Sequence, residues 1–109
     1  MKPTIGFEDF SKLDLRIAEV LEVKDAEGAD KLFKITLDVG KLGKRVIISG
    51  IRPWYKPEDL IGKKVVYLAN LEPKIFKDTE SQGMLIAAGD EEAVVLVPDK
   101  DLQPGEVIR

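Results

Sequence analysis

A mainly β fold, a small barrel of five strands with one short helix inserted, is what this sequence predicts. Three observations carry that expectation. Residues 33 to 39, FKITLDV, alternate cleanly, with Phe33, Ile35, Leu37 and Val39 on one face and Lys34, Thr36 and Asp38 on the other. Four further runs, RVIIS, VVYLA, MLIAA and AVVLV, are short, apolar and rich in β-branched residues, as buried strands are. The segment PEDLI after the third strand places Pro57 at a helix start, with Glu58 and Asp59 in its first turn and Gly62 to close it.

In chain order, TIGFEDFSK (4–12) reads as a helical turn carrying Phe7 and Phe10 on one side, with Thr4 as a cap. LRIAEVLEVK (15–24) reads as the first strand. Leu15, Ile17, Leu21 and Val23 share a face, and Glu19 breaks the phase, so a bend or bulge is expected. DAEGADK is a turn, FKITLDV the second strand, GKLGK a hairpin loop and RVIIS (45–49) the third strand. The helix PEDLI precedes the buried strand VVYLA (65–69). MLIAA (84–88) and AVVLV (93–97) flank GDEE as a hairpin with an acidic tip, and Pro104-Gly105 turns the tail. Three strands, a helix, then two strands is the order of the OB-fold, a five-stranded Greek-key barrel. The whole chain, 1–109, reads as one domain.

Composition bounds the chemistry. The chain lacks cysteine and histidine, which removes thiol chemistry and the commonest general base and metal ligand. Ser11, Ser49 and Ser81 have no activating partner, and GKLGKR is too short for a phosphate loop. No enzyme and no cofactor are expected. No apolar run approaches the ~20 residues of a membrane span, so a cytoplasmic protein without membrane contact is expected. Charged residues make up 34% of the chain while Asn, Gln and Met are scarce, a balance typical of thermophile proteins.

The net charge is −3, yet its distribution is uneven. Lys41 to Lys56 holds Lys41, Lys44, Arg45, Arg52 and Lys56 with no acid, and Asp78 to Glu92 holds five acids with no base. That pattern fits either a solvated surface or one basic face on an acidic body. Exposed rings for stacking on single strands are few, so recognition of a folded backbone through phosphate and hydroxyl contacts suits the chain better.

Several stretches together carry a resemblance: LDLRIAEV (13–20), GADKL (28–32), LDVG (37–40), RVIISGI (45–51), NLEP (70–73), SQGMLIAA (81–88) and QPGEVI (103–108). In their order and spacing they resemble the tRNA-binding OB domain found at the C-terminus of many methionyl-tRNA synthetases and also free-standing. They are similar too to the cytokine-like domain related to tyrosyl-tRNA synthetase extensions. The resemblance covers about residues 7 to 108. It implies a non-catalytic protein that binds tRNA by shape and assists a methionyl-tRNA synthetase catalytic subunit as a detached β subunit. It also implies a homodimer built from elements near both chain ends, with Phe7, Phe10, Val107 and Ile108 as candidates. An export-related chaperone that binds unfolded polypeptide resembles the same fold and is the rival reading.

Carried onto this chain, the resemblance nominates Arg16, Lys31, Asn70, Lys74, Lys77, Ser81, Gln82 and Met84 as nucleic-acid contacts. Arg16 is out of phase with Leu15 and Ile17 and is expected to face away from them. Lys31 stands at a loop edge, suited to phosphate. Asn70 ends a strand, where its amide either holds a turn or reads a ribose. Ser81 and Gln82 offer donors to phosphate or sugar oxygens. Met84 offers a soft apolar contact if it faces out and fills core if it faces in. One departure stands out. The family usually has lysine two places after the proline of NLEP and glycine three places further on, whereas here those positions hold Ile75 and Asp78, with Lys74 and Lys77 beside them. The segment 74–78 is expected to be an exposed loop of altered backbone.

Overall fold

The computed structural model describes all 109 residues. Helix α1 (Phe7–Phe10) precedes strands β1 (Leu15–Asp25), β2 (Phe33–Asp38) and β3 (Lys44–Ser49), helix α2 (Pro57–Leu60) and strand β4 (Lys64–Leu68). Five short strands follow: β5 (Lys74–Phe76), β6 (Thr79–Ser81), β7 (Met84–Leu85), β8 (Ala87–Ala88) and β9 (Val94–Val95). The main sheet has the order β3-β2-β1-β4-β7 and curls on itself, as an OB-fold requires.

Strand β1 is shared between neighbours. Leu15 to Glu19 pairs with β4, and Glu19 to Asp25 pairs with β2. The register slips between Val20 and Glu22, which leaves Leu21 as the extra residue of a bulge. The expected face therefore needs correction. Ala18, Val20 and Val23 enter the core together, because the bulge resets the phase, and Leu21 stays half-exposed. Ile17 is buried outside that core cluster. The tail lies along it: Ile17 N–H donates to the Glu106 carbonyl at 2.9 Å, and Gly105 N–H donates back to Ile17 at 2.7 Å.

The β2 alternation holds, with Phe33, Ile35, Leu37 and Val39 all buried. Pro57 opens α2, and the Lys56 N–H donates to the Asp59 carboxylate at 3.0 Å. Helix α1 forms, but Gly6 rather than Thr4 caps it, and no side chain caps it. None of its residues is buried, and Phe7 remains 80% exposed.

Two expectations after β4 are revised. The segment 74–78 is not a loop: β5 and β6 form an antiparallel hairpin, with Phe76 opposite Thr79 across the turn at Lys77 and Asp78. The positive φ there falls on Lys77 (52°) and not on Asp78, where the family's glycine was expected. MLIAA is also not one strand. Met84 and Leu85 pair with β4, and then Ala87 and Ala88 turn to pair with Val95 and Val94 around the acidic tip. AVVLV correspondingly contributes only β9, and of its residues only Val95 is buried.

The outer edge of β3 is closed by side chains. Val46 N–H donates to Gln82 Oε1 at 3.0 Å, and Gln82 N–H returns a bond to the Val46 carbonyl at 2.8 Å. Ile48 N–H donates to Ser81 Oγ at 2.9 Å. The next residue, Gly83, takes a φ of +88°, and a Cβ there would collide with the Leu68 carbonyl and lie 2.7 Å from Tyr67 Oη. Only glycine fits this crossing. The buried Tyr67 hydroxyl donates to the Gln82 carbonyl, and burial pushes its pKa up, which keeps the donor protonated.

Candidate nucleic-acid interface

Two open grooves lie against the β5–β6 hairpin, one at its tip and one at its base. The first, about 420 Å³, is lined by Lys24, Lys34, Ile48, Phe76 and Lys77 among others. Lys24 and Lys34 stand directly opposite each other on β1 and β2. Like charges opposed across a ladder destabilise a sheet, so such a pair suits a site where an anion settles between them. Glu22 sits 3.5 Å from Lys24 and offsets part of that repulsion. Asp25, Glu27 and Asp78 also line the groove, although Asp25 is held by Arg52 at 3.2 Å.

The same Arg52 donates to the Ala29 carbonyl at 3.1 Å, and so ties down the 26–32 turn that carries Lys31. Lys77 reaches that turn too. Gly28 has a φ of +77°, and a Cβ there would collide with Lys77 Nζ. The hairpin ammonium thus rests against the turn at Gly28. Lys31 and Lys77, chosen separately from the sequence, thus sit on two neighbouring loops, and both are exposed.

The second groove, about 330 Å³, brings together three more of the nominated residues: Lys74, Ser81 and Met84. Met84 faces out, at 48% exposure. Ser81 and Gln82 spend their side-chain oxygens as acceptors for β3, which leaves the hydroxyl hydrogen and the amide N–H₂ as donors.

Asn70 and Arg16 lie elsewhere. Asn70 Oδ1 accepts the Asp14 N–H at 2.8 Å and its Nδ2 donates to the Lys12 carbonyl at 2.7 Å, so its amide is spent on the chain between α1 and β1. Arg16 pairs with Asp14 at 2.6 Å and donates to the Gly105 carbonyl at 3.2 Å, which fastens the tail to β1.

Lys24 and Lys34 in the first groove and Glu72 in the second also line these surfaces, and none of them is nominated by the sequence. The alternation of β2 placed Lys34 outward, but its partner across the ladder depended on the bulge register. At the dimer candidates, Phe7 and Val107 (60%) are well exposed, Phe10 is partly so with its ring centroid 6.0 Å from that of Phe7, and Ile108 is half-buried with its N–H on the Leu15 carbonyl.

Comparison with known proteins decides the kinship. The family model of the tRNA binding domain matches residues 15–107. The chain belongs to the tRNA binding domain family. A methionine–tRNA ligase from Pyrococcus horikoshii is 49% identical over 106 residues, which is 96% of this chain and 14% of that protein. The chain thus spans only a small part of the ligases it matches. Among solved structures, the chaperone CsaA from Bacillus anthracis superposes with a TM-score of 0.91 at 32% identity, over 98% of this chain and 100% of that one. A MetRS related protein from Pyrococcus horikoshii gives 0.90 at 30% identity, over 99% and 100%. The match over residues 15–107 includes the residues of both grooves. No helix is long and apolar enough to cross a membrane.

Proposed function

We propose that this chain is a non-catalytic, structure-specific tRNA-binding protein that serves a methionyl-tRNA synthetase as a detached tRNA-binding subunit or auxiliary factor. The observation that carries the proposal is the family match across residues 15–107. It is supported by lysines around the β5–β6 hairpin: Lys24, Lys34 and Lys77 in the first groove beside Asp25, Glu27 and Asp78, Lys74 in the second, and exposed Lys31 on the turn that Lys77 reaches. Phosphate contacts from Lys24, Lys31, Lys34 and Lys77 would hold and orient tRNA without reading its sequence. Ser81, Gln82 and Met84 add hydroxyl, amide and thioether contacts, while Asn70 and Arg16 hold the frame. A second copy of the chain, docked on Phe7, Phe10, Val107 and Ile108, would present two such surfaces to one tRNA or synthetase. Linkage of that kind raises effective affinity with no new contact chemistry.

A tRNA gel shift with Lys31→Ala, Ser81→Ala and Met84→Ala tests this, with thermal unfolding run beside it because Ser81 also closes the barrel. Weaker binding by well-folded variants is expected. Wild-type binding by all three would overturn the site.

The superposition on CsaA motivates a second reading, a chaperone for unfolded polypeptide. The second groove has apolar walls in Ile48, Leu71, Met84 and Leu85 that an extended peptide would also fit. Competition between an unfolded peptide and tRNA separates the two readings: a peptide that binds where tRNA does not favours the chaperone.

A further inference from the structure

The second groove mixes apolar and polar lining. Ile48, Leu71, Met84 and Leu85 supply apolar surface, and Ser49, Ser81, Glu72 and Lys74 supply polar groups. Pro73 pushes Glu72 toward extended backbone, and residues two apart on an extended chain point to one side. Glu72 and Lys74 accordingly line the same groove, and neither takes part in an ion pair. Ile48 N–H points off the outer edge of β3 to Ser81, and a residue's carbonyl leaves a strand on the same side as its N–H. The Ile48 carbonyl therefore adds an acceptor on that edge.

A partly apolar groove of about 330 Å³ that also carries a carboxylate and an ammonium outside any ion pair is an unusual place for a phosphate. It suits the edge of a flat, polar-edged heterocycle. We infer that this groove receives one unpaired guanine base of the bound RNA, with Glu72 and Lys74 as the specificity-determining residues; the inference rests on the tRNA-binding reading. A carboxylate only accepts, and guanine alone among the four bases offers adjacent N1–H and N2–H₂ donors to it. The guanine O6 lies next along the same edge, where a lysine donates to it. Uracil would set two carbonyls beside the carboxylate. Met84 and Leu71 take the base face in place of an aromatic ring, and unpaired bases splayed from a fold are what such slots read in RNA.

Methionine labelling gives a clean readout, since the chain holds only Met1 and Met84. The probes are GMP, AMP, CMP and UMP, titrated separately against ¹³C-methyl-methionine protein, with a tRNA gel shift in parallel. GMP is expected to shift the Met84 methyl at a concentration at least about fivefold lower than the other three, the low end of what one bidentate contact discriminates. The Glu72→Gln variant is expected to lose that preference and keep its fold. Equal response to all four nucleotides, or none, with tRNA still bound, overturns the guanine slot and leaves the tRNA reading standing. Loss of tRNA binding altogether in the wild-type protein overturns both. A shift of Met84 by an unfolded peptide and by no nucleotide assigns the groove to polypeptide and overturns the inference.

Discussion

Val46 and Gln82 exchange two hydrogen bonds: the Val46 N–H donates to Gln82 Oε1 at 3.0 Å, and the Gln82 N–H donates to the Val46 carbonyl at 2.8 Å. One residue, through its side chain and its backbone, thereby does what a neighbouring strand would do for the edge of β3. Replacement by alanine leaves the half-buried Val46 donor without its partner. Gln82→Ala is expected to cost about 1–2 kcal/mol. That lowers the Tm by roughly 4–8 °C per kcal/mol, read by thermal unfolding. An unchanged Tm would show that the edge bond is replaced by water at no cost.

Gly83 sits where the chain crosses Tyr67 and Leu68 at a φ of +88°. Gly83→Ala faces a backbone collision as well as an unfavourable conformation, and should lose at least about 2 kcal/mol by urea unfolding. A loss as small as that of a surface substitution would mean the crossing relaxes.

Asn70 bonds twice to the backbone of Lys12 and Asp14. Asn70→Ala is expected to lower stability by about 1 kcal/mol, a modest figure because the amide is exposed, and to leave tRNA affinity unchanged. A drop in affinity without a drop in stability would return Asn70 to the RNA contacts.

The Tyr67 hydroxyl has its pKa raised above the usual value of 10.0 by burial. An acid whose folded pKa is raised holds its proton more tightly when folded, so its contribution is full below pH 10 and is lost as pH climbs through the folded value. Urea unfolding from pH 8 upward should show stability falling above pH 10, with a shallower fall in Tyr67→Phe. Equal slopes would remove Tyr67 from the alkaline transition.

The succession of elements as far as β4 and the core of β2 were legible because these are local signals, and the period-2 alternation is complete in Phe33 to Val39. The bulge at Leu21 was half-legible: Glu19 announced a break in phase, but which residues then turned inward depended on pairing with Leu37 and Thr36. The β5–β6 hairpin was missed because its turn uses Lys77 at positive φ, where glycine or asparagine is the usual mark. In the sequence Ser81 and Gln82 read as donors to RNA. Their bonds to β3 span more than thirty residues of sequence and leave no local trace. The lysines are a similar case: Lys31 and Lys77 read as separate contacts in the sequence, and only folding brings the Lys77 ammonium against the loop of Lys31 at Gly28.

The most direct test of the central claim is the affinity of the wild-type chain for tRNA measured across a range of salt. Binding through the lysine surface around the hairpin predicts that log affinity falls linearly with log salt, by about 0.9 per duplex phosphate engaged. A slope of zero, or no binding at low salt, would contradict it.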